Sequence, residues 1–250
     1  MRSKLLCASL TLVLLLSFLT GCGATKLKYD ASAGSYTNKK TGVTYVHAEE
    51  YYEAVGVLPD RVTARIANDA DVKLYEIKGA DPTQMIATEN LEIFCAEGTV
   101  MPKLWEMDVN CVYVGQVIEG ATMDNAIATV NAVEDMNALV ELYQNAVPFP
   151  ESEMLDGMQS RTRYNLRFAS ASYPAFYYRL TYWHFDSDVL VYEVIETQEG
   201  FTPRYSGAEV TFEQDGNELC AVYNFGKNII YDRVLRECYA VGDTVQKYLS

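Results

Sequence analysis

Apolar and polar residues alternate with a period of two through much of this chain, the pattern of strands buried on one face. From Arg161 to Phe168 the alternation is unbroken: Thr162, Tyr164, Leu166 and Phe168 point one way, and Arg161, Arg163, Asn165 and Arg167 the other. Further strands are predicted at 62–67, 72–77, 91–95, 111–118, 126–130, 176–185, 189–195, 228–232 and 238–241. Hairpins are predicted from Ser35 to His47 around Asn38 to Gly42, and around Asp215-Gly216 between Val210–Phe212 and Leu219–Tyr223. The period becomes helical at length only once. Asn131 followed by Glu134 has the spacing of a capping box, opening a helix to about Ala146 whose Val133, Met136, Val140 and Tyr143 form a buried stripe with Leu139 and Leu142. Asp81-Pro82-Thr83-Gln84 has the spacing of a second, short helix start.

One main helix, about 132–146, among antiparallel strands predicts an α+β fold with the sheet packed on that helix and a strand-rich N-terminal half. Residues 22–33 are poor in large apolar groups and read as a tether. Residues 34–120 form the strand-rich region and 121–250 the α+β C-terminal region, either separate or one domain with 34–120.

The first residues follow a different rule. Arg2 and Lys4 precede an uncharged apolar stretch from Leu5 to Leu19, the layout of a signal peptide over residues 1–21. At ~1.5 Å per residue it spans only about 22 Å, short of the ~30 Å hydrocarbon core, so a permanent membrane helix is not expected. The stretch ends in Leu19-Thr20-Gly21-Cys22, which resembles the lipobox of bacterial lipoprotein precursors at all four positions. That resemblance implies lipidation of the Cys22 sulfur and cleavage before it, leaving a protein held by lipid on the extracytoplasmic face of the cell membrane.

Charge narrows the partners. The chain carries 20 basic and 34 acidic residues, and loss of residues 1–21 removes two basic ones, leaving a net charge of −16. Nucleic acid is excluded on that ground. So acidic a surface is repelled by anionic head groups, and Lys26 and Lys28 beside the lipid are the local exception. Cys95, Cys111, Cys220 and Cys238 remain besides Cys22. In an exported chain they could pair as Cys95–Cys111 and Cys220–Cys238, or stay as buried thiols.

No phosphate-binding glycine loop, dinucleotide fingerprint, nucleophile elbow or zincin helix occurs, and no cofactor is expected. The strands do not alternate with helices as a doubly wound solute receptor requires. His47 beside Glu49 and Glu50, and His184, are the only imidazoles. Either could serve an envelope hydrolase, but strand-end and core-edge roles explain them as well. Asp69–Asp71 and Asp186–Asp188 are turn acids, too few for calcium.

The arginine row carries the remaining hypothesis. Antiparallel pairing of 162–168 with 176–185 would place Phe168 opposite Phe176, Leu166 opposite Tyr178 and Tyr164 opposite Leu180. The other face would then present Arg161, Arg163, Arg167, Tyr177, Arg179 and Trp183. Planar aromatics suit sugar rings and guanidinium forks suit carboxylates or phosphates. The expected function is therefore binding of an anionic glycan, a cell-wall polymer or an envelope protein, without catalysis.

Overall fold

The computed structural model describes residues 25–48, 51–66, 69–118, 120, 124–151, 161–243 and 245–249. Cys22 and the apolar leader lie outside the described residues, as do Glu49 and Glu50. In chain order the strands begin with β1 (Thr25–Asp30), β2 (Ser35–Thr37), β3 (Thr44–His47), β4 (Tyr52–Ala54), β5 (Val57–Ile66), β6 (Asp69–Ile77), β7 (Met85–Thr88), β8 (Ile93–Ala96) and β9 (Val109–Gln116). They continue with β10 (Asn125–Val130), β11 (Phe149–Pro150), β12 (Arg161–Ser170), β13 (Phe176–Phe185), β14 (Leu190–Ile195), β15 (Glu209–Asp215), β16 (Glu218–Asn224), β17 (Asn228–Asp232) and β18 (Glu237–Ala240). One α-helix, α1 (Val133–Asn145), occurs among the described residues. The protein is mainly β, with 51% of residues in strands and 10% in helices, so the expected α+β fold on a main helix is corrected. A single helix can cover only one face of one sheet, and the chain contains several sheets.

The chain divides into two compact units, one reaching His47 and resuming over Gly56–Thr99, the other comprising Ala48–Val55 and Val100 onward. The units exchange after Thr99, and the short β4 belongs to the second unit.

Seven strands of the first unit close into a barrel in the order β1-β2-β3-β8-β7-β6-β5. An odd ring cannot close with antiparallel contacts alone, and β1 with β5 supplies the parallel one, Thr25 opposite Ala64 and Leu27 opposite Ile66. β5 shifts register three times against β6, as a strand turning barrel corners does. Leu27, Tyr36, Tyr45, Leu74, Ile86 and Phe94 pack in one core cluster. The segment expected to be a tether is thus the closing strand, because one inward leucine between the exposed Lys26 and Lys28 is enough to seat it. The first hairpin forms as expected, with Gly42 at φ +76° donating to the Asn38 carbonyl at 2.7 Å. Asp81 opens no helix. Its carboxylate accepts the Thr83 amide at 2.8 Å, and one turn later Met85 begins the strand that β6 and β8 pair with on either side.

In the second unit the large sheet runs β10-β9-β12-β13-β17-β18-β11, with β4 and β17 sharing one edge of β13. Helix α1 lies on the face that carries Leu166, Leu180 and Tyr182. Its Met136, Leu139 and Tyr143 are buried, and the Tyr143 ring meets those of Tyr178 and Tyr239. Val133 is 65% exposed and falls off the stripe. The helix is capped at Ala132, without a side-chain cap from the predicted Asn131. On the opposite face, Trp183, Phe185 and Ile229 of the large sheet join Val191, Ala221 and Tyr223 of a three-stranded sheet, β14-β16-β15, in one apolar cluster.

Strands β12 and β13 pair as a hairpin two residues out from the expected register: Phe168 faces Tyr178, Leu166 faces Leu180, Tyr164 faces Tyr182, and Arg163 faces Trp183. A slip of two keeps every side chain on its face and changes only its partner. β12 also runs further toward the turn than predicted, to Ser170, whose hydroxyl accepts the Ser172 amide at 3.1 Å.

Candidate functional site

The arginine row lies on the large-sheet face opposite α1. Its fixed centre is Arg167, whose side chain is 18% exposed and whose guanidinium meets two carboxylates. Nη1 and Nη2 donate to Asp124 at 2.6 and 2.9 Å, a bidentate fork, while Nε donates to Glu53 on β4, the strand beyond β13. Asn165 adds a bond to Asp124 at 3.2 Å. Asp124 comes this close because the adjacent residue of β9 is Gly115. A Cβ built there would lie 2.2 Å from Asp124 Oδ2. Burial works against the Asp124 carboxylate, yet hydrogen bonds and charge from Arg167 outweigh it and hold its pKa below the usual value. Burial likewise opposes the Arg167 cation, and the two acids more than offset it, so the guanidinium stays charged.

Beside this cluster Tyr113, 39% exposed, tilts against Tyr177 with ring centroids 5.5 Å apart. Burial raises the Tyr177 pKa, with Arg167 pulling the other way and Cys111 and Glu53 adding to it. Tyr113 and Cys111 sit across from Arg167 and Ala169 on β12. Tyr113 was not foreseen as part of the site. Its strand shows alternation, but only the β9–β12 pairing reveals that Tyr113 faces Arg167.

The other end of the row is closed. Trp183 is 3% exposed, with Arg161 over one side of its ring at 4.0 Å and Tyr231 stacked on it at 4.4 Å. A ring engaged on both faces offers no platform to a sugar. Of the six predicted ligand-binding residues, Arg161 and Trp183 are engaged with each other and Arg167 with its acids. Arg163 is exposed, while Tyr177 and Arg179 are half-buried on the same face.

His47 is exposed on β3, with its ring edge-on to Phe94 at 5.1 Å. His184 Nδ1 shares Asn228 Oδ1, at 2.8 Å, with the Tyr182 hydroxyl at 2.6 Å, and Asn228 donates in turn to Asp243 at 2.7 Å. A cavity of about 570 Å³ beside α1 is lined by Leu142, Val147, Phe225 and Ala240 and by no histidine. No group of three or more His, Cys, Asp or Glu able to hold a metal occurs among the described residues.

Neither suggested disulfide forms. Cys95 stands in β8 of the barrel unit and Cys111 in β9 of the other, while Cys220 and Cys238 occupy different sheets. Spacing along the chain cannot reveal that neighbouring predicted strands join different sheets. Burial pushes the Cys95 thiol up to about 11 and raises Cys238 further, so neither is a ready nucleophile at neutral pH.

Compared with known proteins, the chain matches no family model, no curated protein and no solved structure.

Proposed function

We propose that this protein is exported, held by lipid at Cys22 on the extracytoplasmic face of the cell membrane, and acts by binding an anionic glycan or cell-wall polymer. The observation that carries the reading is the Tyr113–Tyr177 pair, braced by the Arg167, Asp124 and Glu53 cluster, with exposed Arg163 four residues along β12 from Arg167 on the same face. Sugar rings present C–H faces to aromatics, and the carboxylates or phosphates of such a polymer suit a guanidinium fork. The contact surface is accordingly narrower than the full arginine row: Arg163, Tyr113 and Tyr177, with half-buried Arg179 on the same face. The rival hydrolase has little support, since His47 packs on an aromatic edge and His184 is bonded to an amide.

Sedimentation with isolated cell-wall material tests it. The native protein should co-sediment, and stripping the anionic polymer should abolish this. Replacing Tyr113 and Arg163 together by alanine should weaken binding by about tenfold or more, the scale of one lost charged contact with a lost ring. A folded double variant that sediments like the native chain refutes the surface. The anchor has its own test, because Cys22→Ser should move the protein from the membrane fraction to the medium or periplasm.

A further inference from the structure

A second recessed surface of the same unit lies away from the arginine row. Residues Leu104–Glu106 make a single 3-10 turn, closed when Glu106 Oε2 accepts the Lys103 amide at 2.8 Å. Leu104 and Met107 are buried and pin the turn from both ends, which leaves Trp105 displayed between them at 41% exposure. Its indole leans on Tyr143 of α1, centroids 6.2 Å apart. On α1 itself Asn137, Val140, Glu141 and Gln144 fall at helical spacings of three and four, so they form one stripe facing the turn. Turn and stripe enclose a groove of about 480 Å³, within the size range of small-ligand sites.

The lining dictates the class of ligand. Trp105 supplies a flat apolar face, Asn137 and Gln144 supply carboxamides that both donate and accept, and Glu106, Asp108 and Glu141 supply carboxylates. Lysine and arginine are absent from the lining. No ion pair engages Asp108 or Glu141 among the described residues. The ring face already attracts an ammonium, because Lys103 Nζ hovers 5.3 Å from the Trp105 centroid. A pyranose ring matches the indole and its hydroxyls match the carboxamides, while the unpaired acids favour a positive substituent and repel a uronate.

We infer that this groove binds a saccharide bearing a protonated amine, with the sugar ring on Trp105 and the ammonium directed at Asp108 and Glu141. Lys103 is an internal competitor for the ring face. This site is independent of the Tyr113 surface and of the anchor.

The chain has two tryptophans, Trp105 and the buried Trp183, so ligand-induced change in exposed-indole emission reports on this groove. Titration of the purified full-length protein with a glucosamine tetramer, below the amine pKa, should quench that emission saturably. The N-acetylated tetramer should bind about tenfold or more weakly, since it lacks the charge. By calorimetry, Trp105→Ala and the double variant Asp108→Asn, Glu141→Gln should lose binding while retaining native circular dichroism, and Lys103→Ala should bind more tightly. Equal affinity for the two tetramers, no saturable response at millimolar sugar, or undiminished binding by a folded Trp105→Ala protein overturns the inference.

Discussion

At the scale of single residues, the most consequential side chain is Arg167. Replacing it with alanine leaves Asp124 and Glu53 facing each other with little water. The cost should approach the lower end of the roughly 3–5 kcal/mol seen when one partner of a buried ion pair is removed, measured by chemical denaturation. Gly115→Ala attacks the same cluster from behind. The new methyl would collide with Asp124 and force its carboxylate off the guanidinium, at about 1–3 kcal/mol, the usual penalty of overpacking. The cluster is also pH-sensitive in a defined direction. Because the folded-state pKa of Asp124 is depressed, its contribution is complete above the ordinary value of 3.8 and is lost as pH falls through the lower folded value. Asp232 runs oppositely. Burial raises its pKa despite the Val234 and Leu235 amides and the Tyr143 hydroxyl, so its protonated form favours folding and that advantage fades as pH rises through the folded value. Asp232→Asn keeps an acceptor for both amides and removes the charge. Its stability relative to the native chain should therefore improve from pH 4 toward neutrality, and a constant difference would contradict the sign.

At the scale of elements, the alternation in β12 and β13 disclosed which residues share a face, and the hairpins at Gly42 and Gly216 were readable from their turn residues. Which face is open was not readable. A period of two separates Trp183 from Tyr182 but says nothing of a second sheet, β14-β16-β15, that arrives later in the chain to cover one end of the arginine face. The same limit hid the barrel. Closure depends on β1, and β1 offers only Leu27 as an inward apolar residue, too weak a pattern to distinguish from a tether. Leu27→Ala tests that role. A tether would tolerate it, whereas a closing strand with a fully buried leucine should lose about 2–5 kcal/mol in the denaturation of the first unit. The groove beside Trp105 was likewise out of reach, because the 3-10 turn has no periodicity, although the exposed helix positions that face it could have been marked.

At the scale of the whole molecule, the proposed anchor and the barrel make one arrangement with a measurable consequence. Cys22 precedes the first barrel residue, Thr25, by three positions, which extended backbone spans in about 10 Å. A lipidated Cys22 would hold β1 within that distance of the head groups, although residues 22–250 carry a net charge of −16. Leu27 points inward and the flanking Lys26 and Lys28 are exposed, so the strand nearest the bilayer presents two cations outward. Each lysine near an anionic surface is worth about 1 kcal/mol, an attraction that decays within a Debye length and is screened by salt. The lysines of the first hairpin, Lys39 and Lys40, are exposed as well and provide an internal reference. When the lipidated protein sits on anionic vesicles at low salt, a membrane-impermeant amine reagent should modify Lys26 and Lys28 several-fold more slowly than Lys39 and Lys40, as read by mass spectrometry. The difference should vanish on zwitterionic vesicles or at high salt. If all four lysines react alike on anionic vesicles at low salt, β1 does not face the membrane, and whatever holds the protein there leaves the barrel clear of the surface.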